Sequence, residues 1–427
     1  MRRLFTPSTI VPCVIIAAVV AMVVSANIRE GRSNGRPSSM PPPLGAPGAP
    51  ITSRDGLAKR VSEMEARIAS RPDDVGAAVL LSDALIRLSR VTGNAGLSIR
   101  AEQALAAAAV EAPGNYDVMH AQGSLLLSQH RFREALVVAE RCRAQRPSDP
   151  TNYGVLGDAH LELGEYDAAF DAFDQMMKLR PSATSYSRVA YARELQGDLS
   201  GALQSMKLAA DASSGSDVEA TAWYHAQVGE LYLQLKKPYD AMLEFATASQ
   251  AFPGHPFAVR GYAKALVATG KPAEALPLLQ GLVATSLTPE LYAQLGDVLT
   301  DLGRPADAAR EYALAEASWR SDAPEPKNLA RFLAERGWKL DEAVQIAETA
   351  AAARQDIFTQ DALAWAYFRS GRIDDARHTI DLALRTGSRD PDLRRHAASI
   401  QAATTNASSS TVATSDPLAR PARVALR

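Results

Sequence analysis

The chain has 427 residues, 22% of them charged and 47% hydrophobic, and a formal net charge of −2. That balance argues against the strongly basic footprint of a nucleic-acid binder and suits a folded protein long enough for more than one core. Two cysteines, Cys13 and Cys142, suggest neither a disulfide framework nor a zinc site.

Arg2 and Arg3 precede an uninterrupted apolar run from Ile10 to Val24, "IVPCVIIAAVVAMVV". A basic start and an apolar run of this length fit both an export signal and a short single-pass anchor. The small residues of "VSA" at Val24–Ala26 offer a cleavage site. Residues 1–30 are therefore expected to be a signal peptide or a membrane anchor. Either way the body is expected outside the cytoplasm, in the cell envelope. Residues 31–52 contain "GRPSSMPPPLGAPGAP". Pro and Gly at that density cannot pack a core, so this segment reads as an extended tether.

From Arg54 the pattern changes. Leu57, Val61, Met64 and Ile68 recur at helical spacing and predict a first short helix that stops at "SRPDD". A repeat follows. Small residues in the first helix of each unit fall at Gly123, Gly157, Ala190, Gly229, Ala263, Gly296, Ala330 and Ala364, in steps of 34, 33, 39, 34, 33, 34 and 34. Those of the second helix fall at Ala135, Ala169, Ala202, Ala241, Ala275, Ala308, Ala343 and Ala376, in steps of 34, 33, 39, 34, 33, 35 and 33. Two independent marks keep one period, which means a stacked array. The long step carries an insertion, "SSGSD" at Ser213–Asp217. Glycine punctuates mid-unit at Gly164, Gly197, Gly270, Gly303 and Gly371, and proline closes units at Pro113, Pro147, Pro181 and Pro253.

This pattern resembles the tetratricopeptide repeat family over residues 75–390. Tyr153, Leu156, Gly157, Gly164, Tyr166, Ala169, Phe173 and Pro181 match its motif best. The resemblance implies an all-α fold: a right-handed solenoid of about nine helix-turn-helix units, closed by a C-terminal capping helix, within residues 53–403. Gly157 and Ala169 are then small because the two helices of one unit cross there at close range, and Gly123, Gly229, Gly296, Ala308 and Ala376 repeat the device. Two units depart from the pattern. The first has a helix join, "VTGNAGLSIR", several residues too long, and the unit at 324–357 has Gly337–Trp338 at its turn. At the end, Asp390 and Pro391 are expected to start the cap. Leu393 and Ile400 would cover the last repeat while Arg394 and Arg395 face water. Residues 404–427 are expected to be disordered. Signal, tether and array together look like exported bacterial members of the family, most of which lack an assigned activity.

Catalytic signatures are absent. The sequence has neither a phosphate loop nor H-E-x-x-H, and its seven histidines are scattered. The site argument is geometric instead. At 100° per residue, Thr151, Gly154, Asp158 and Leu161 lie roughly opposite the face of Tyr153, Leu156, Gly157 and His160, and in this family that opposite face lines the concave groove. That register adds Asp117, His120, Tyr191, Glu194, Trp223, Glu230, Phe257, Arg260, Lys264, Glu290, Asp297, Asn328, Arg331, Phe358, Asp361 and Trp365. Tyr191, Trp223, Phe257, Arg260, Lys264, Arg331, Phe358 and Trp365 are the expected partner anchors. The competing readings are rings packed between repeats and charges on a solvated face. Some family members clamp a peptide carboxylate. Arg260 and Lys264 occupy suitable places, but Gln294 and Glu325 depart from the clamp, so chaperone-tail binding is not predicted. The expected function is a non-enzymatic envelope scaffold for a peptide or partner domain, without cofactor, metal or nucleic acid. An accessory subunit of an envelope enzyme or transporter is the alternative. A hidden enzyme and a pentatricopeptide-like RNA reader rank below it.

Overall fold

The computed structural model describes residues 53–213, 217–321 and 325–413, with side chains as far as residue 404. Twenty α-helices and no strand occur among them. A leading helix, α1 (Arg54–Ser70), precedes nine antiparallel pairs. The first three pairs are α2 (Val75–Thr92) with α3 (Gly96–Glu111), α4 (Tyr116–Ser128) with α5 (Phe132–Gln145), and α6 (Pro150–Leu163) with α7 (Tyr166–Leu179). Next come α8 (Ala183–Leu195) with α9 (Leu199–Ala212), α10 (Val218–Gln234) with α11 (Pro238–Ala251), and α12 (Pro256–Ala268) with α13 (Pro272–Val283). The last are α14 (Pro289–Asp301) with α15 (Pro305–Ser321), α16 (Pro326–Arg336) with α17 (Leu340–Ala353), and α18 (Ile357–Arg369) with α19 (Ile373–Ala383). The cap, α20 (Pro391–Ala413), follows. The expected solenoid of nine units and a cap is the observed one.

Local chemistry starts and stops these helices. Asn115, Asp149, Asp217, Thr288 and Asp356 accept hydrogen bonds from first-turn N–H groups. Gly164 ends α6 in the left-handed conformation at φ 82°, where a Cβ would be strained.

The small residues explain the packing inside each pair. A Cβ added at Gly157 would fall within 3.0 Å of the Phe173 ring, one at Gly229 within 3.0 Å of Phe245, and one at Gly296 within 3.0 Å of Tyr312. Each ring stands sixteen positions after its glycine. Where the first-helix position is Ala190, Ala263, Ala330 or Ala364, the residue sixteen on is Met206, Leu279, Ile346 or Ile380. Volume removed from one helix is added to its partner, as close packing requires. Phe245 also fills the space beside Gly261 of the next pair. Gly123 is the exception. Ala139 stands sixteen on, and the nearest atom to an added Cβ is in Val155, at 3.3 Å.

The first unit corrects the sequence reading. Its join is only Gly93–Ala95, because α2 and α3 lengthen to absorb the extra residues. The added turn carries Gly93 against Thr288, and the Leu287 N–H donates to Thr92 O at 3.2 Å. This contact joins the first pair to the seventh.

The same spacing recurs along the chain. His130, after α4, meets Glu325 before α16 at 2.6 Å. Beside α6, the Gln355 N–H donates to Leu163 O (3.3 Å) and the Ile357 N–H to the Tyr166 hydroxyl (2.8 Å). Gly197, after α8, lies against Gly387 before α20. C-terminal ends of first helices thus meet N-terminal ends of first helices six pairs later. The array completes a turn and stacks on itself.

In the cap, the Leu393 N–H donates to Asp390 Oδ1, and Leu393 and Ile400 are buried as expected. Arg395 is not simply in water, because it pairs with Glu335 at 2.6 Å. The cap helix is described as far as Ala413, and the rest of the tail expected to be disordered lies outside the described residues. The expected signal or anchor (1–30) and tether (31–52) lie outside the described residues. No described helix is long and apolar enough to cross a membrane.

Candidate functional site

The first-helix face opposite the glycine seam carries two pockets. The C-terminal one has a volume of about 770 Å³ and gathers Arg260, Lys264, Glu290, Asp297, Asn328 and Arg331, all six anticipated from the helical register. α12, α14 and α16 supply them, and α20 adds Asp392 and Arg395. Arg260 Nε donates to Gln294 Oε1 at 3.2 Å, and Gln294 Nε2 returns a bond to Arg260 O at 2.9 Å. Arg260 has no ion-pair partner among the described residues. Burial pushes its guanidinium down, and the nearby Glu290 and Glu230 only partly offset this. Arg331 is exposed and likewise unpaired among the described residues. Lys264 is paired, to Glu230 at 2.8 Å. Asp297 accepts from Arg336 and from the Tyr312 hydroxyl, each at 2.8 Å, and Arg336 also lies over the Tyr312 and Phe332 rings.

The N-terminal pocket, about 580 Å³, contains Asp158, Tyr191, Glu194 and Trp223 from the anticipated set. Arg188 and Tyr224 join them, with Arg90 reaching in from α2. Arg188 holds Asp158 through two bonds, at 2.9 and 2.6 Å. Arg90 holds the buried Glu219 at 2.7 Å.

Other anticipated residues lie elsewhere. Trp365 is 5% exposed and stacks on His396 of the cap at 4.1 Å. Phe358 is half-buried against the cluster of Leu161, Tyr166 and Ile357. Asp361 is buried and bonded to His396 at 2.9 Å. These three are covered by the cap and by the earlier turn, so none is a groove anchor. Phe257 is 37% exposed, 5.8 Å from His255, and lines neither pocket. Asp117 faces Arg146 at 3.6 Å. His120 is partly buried, with Nε2 unpartnered. Glu325 faces the earlier turn, held by His130 and by Arg354 at 2.9 and 2.6 Å. Arg188 stands one helical turn before Tyr191, so the register could have found it. Arg90, Asp392 and Arg395 arrive from distant units and carry no local signal.

Residues 120–184 and 260–326 match the Tetratricopeptide repeat family. These two segments resemble the family's repeats, and the described helices around them continue the same paired architecture. Of curated relatives, the Hsp70-Hsp90 organizing protein of Triticum aestivum is 34% identical over 98 residues, 22% of this chain and 17% of that protein. Tetratricopeptide repeat protein 36 of Homo sapiens is 35% identical over 100 residues, 23% of this chain and 51% of that protein. The chain therefore spans only a sixth to a half of these relatives' length. Among solved structures, the human IFIT1 dimer with m7Gppp-AAAA superposes with a TM-score of 0.50 at 13% identity, covering 78% of this chain and 77% of that one. Yeast Tom70 does so with a TM-score of 0.45 at 15% identity, covering 85% and 88%. At 13% identity the likeness to the IFIT1 structure is one of fold.

Proposed function

We propose that this chain is a non-enzymatic scaffold that holds an extended peptide or a partner domain along the face of its first helices. The observation that carries the reading is the C-terminal pocket. Arg260 and Arg331 present guanidinium groups without carboxylate partners among the described residues, on walls built from packed helices. Such preorganisation lowers the ordering cost of binding. The name of the wheat relative, an Hsp70-Hsp90 organizing protein, agrees with protein binding by repeats of this kind. The basic and apolar start of the sequence further supports a place in the cell envelope. There residues 1–30 would serve as anchor or cleaved signal, and the array would stand outside the cytoplasm.

A second reading is an accessory subunit docked through its second helices. It draws on large exposed apolar side chains there: Val110, Val137, Tyr239 and Leu243, each more than 60% exposed. Affinity capture from detergent-solubilised membranes of the source cell separates the two. The baits are the full chain and its Arg260→Ala/Arg331→Ala variant. A partner retained by the first and lost from the second supports the groove. A partner held equally by both moves the interface to the second helices.

A further inference from the structure

The two arginines of the N-terminal pocket are already engaged, Arg188 by Asp158 and Arg90 by Glu219. That leaves Glu194. It has no ion-pair partner among the described residues. Its one hydrogen bond there comes from Gln234 Nε2 to Oε1, at 2.6 Å, so Oε2 is uncommitted. Three aromatic side chains, Tyr191, Trp223 and Tyr224, line the same pocket, the last two meeting edge to face at 5.3 Å. A carboxylate beside aromatic faces suits a cation, and a cation on a hydrocarbon stem suits the rings as well. An anionic ligand would have to draw a guanidinium away from its carboxylate.

We propose that this pocket binds a lysine or arginine side chain of a peptide partner, with the cationic head on Glu194 and the stem against Trp223 and Tyr191. The proposal rests on the groove reading above and gives it a partner chemistry. Burial pushes the Glu194 carboxyl up to about 7, the Gln234 bond opposing and the carboxylates of Asp390 and Glu230 adding to the rise. A cation bound there favours the ionised form, so binding releases a proton near neutrality.

The test uses the full chain in neutral detergent, labelled with 15N at its four tryptophans. Trp223→Phe assigns the Trp223 indole signal. The probes are a blocked Gly-Gly-Lys-Gly-Gly peptide and its norleucine counterpart. The lysine peptide should move the Trp223 signal saturably, and the norleucine peptide should bind at least about tenfold more weakly. Glu194→Gln should cost the lysine peptide a similar factor while the Trp319, Trp338 and Trp365 signals stay in place. Binding should weaken between about pH 7.5 and about pH 5.5, as the carboxyl takes up its proton. Equal binding of the norleucine peptide, full binding by Glu194→Gln, or a Trp223 signal unmoved by lysine would each overturn the proposal. Should Glu194→Gln misfold, the comparison of the two peptides on the native chain still decides. Failure here leaves the Arg260/Arg331 dependence of partner capture standing. Loss of that dependence alone would count against the groove reading.

Discussion

The seam inside each helix pair is apolar, and the seam between the two turns of the solenoid adds ion pairs to its apolar contacts. Inside a pair, Phe173, Phe245 or Tyr312 fills the space left by a glycine. Between turns, His130 reaches Glu325 and Arg354 reaches Glu162, while Lys327 and Arg354 hold Glu325 and Asp356 from their own turn. Arg87 and Arg90 of the first pair also hold Asp217 and Glu219 of the fifth, four pairs on. The difference follows from what each seam is made of. Helix sides meet within a pair, and their backbone groups are already bonded. Helix ends meet between turns, where carbonyls and N–H groups lack partners. Glu325, Asp356, Asp217 and Glu219 stand at helix N-termini and Arg90 and His130 at or just past C-termini, each favoured by the local dipole.

The strongest test of the apolar seam is Phe245→Ala, because that ring serves both Gly229 and Gly261. It should cost about 3–5 kcal/mol in chemical denaturation. A cost near zero would break the account of the small residues. The ionic seam is probed by Glu325→Gln, expected to cost about 1–3 kcal/mol because it leaves buried cations short of an acceptor. Its signature is local. The Gln355 and Ile357 amides should lose hydrogen-exchange protection while those of α10–α13 keep theirs.

Acid and alkali should reach the ionic contacts from opposite sides. Burial pushes Glu325 up, but the bond from His130, the Lys327 charge and the Arg354 bonds outweigh it and hold the carboxyl far below its usual range. Burial also pushes Glu335 up, yet the bonds from His396 and Arg395 bring it to about 2. Both groups contribute stability above the ordinary glutamate value of about 4.3 and lose it as pH falls toward their folded values. His396 runs the other way. Burial lowers it, but the bonds to Asp361 and Glu335 prevail and raise it. Its contribution is complete below about 6.5 and is lost as pH rises through the folded value. Melting temperature against pH should fall on both sides, and His396→Gln should remove this alkaline loss. An alkaline limb unchanged in that variant would sink the assignment.

Gly157→Ala sharpens the volume rule. Alone it should cost about 1–3 kcal/mol by overpacking. Combined with Phe173→Leu, which copies the alanine units, it should lose less than the sum of the singles, with a coupling of about 1 kcal/mol. Simple additivity would show that the two positions do not share space. The smallest effect is expected for Lys264→Ala, whose exposed pair with Glu230 should change stability by less than about 1 kcal/mol.

The groove was half legible. Helical register placed ten residues in the two pockets, from Asp158 to Arg331, because facing along one helix depends only on spacing. It misplaced Phe358, Asp361 and Trp365, which have the right register but are covered by the cap and the earlier turn. Arg90 escaped notice and Arg395 was expected to face water, because their own helices give no hint of the pocket they enter.

What the sequence by itself determined is the contact that repeats: helix pairs of about 34 residues, their caps, and a glycine matched to a ring sixteen positions on. Each of these is complete within one unit, so one unit's residues suffice to specify it. The tertiary structure alone decided that the array closes a turn in six pairs. It alone decided that Glu325 lies by His130, and that α2 and α20 wall the two pockets. The rotation from one unit to the next is the summed result of many side-chain volumes. Small per-unit angles add up over six units before two distant helix ends either meet or miss.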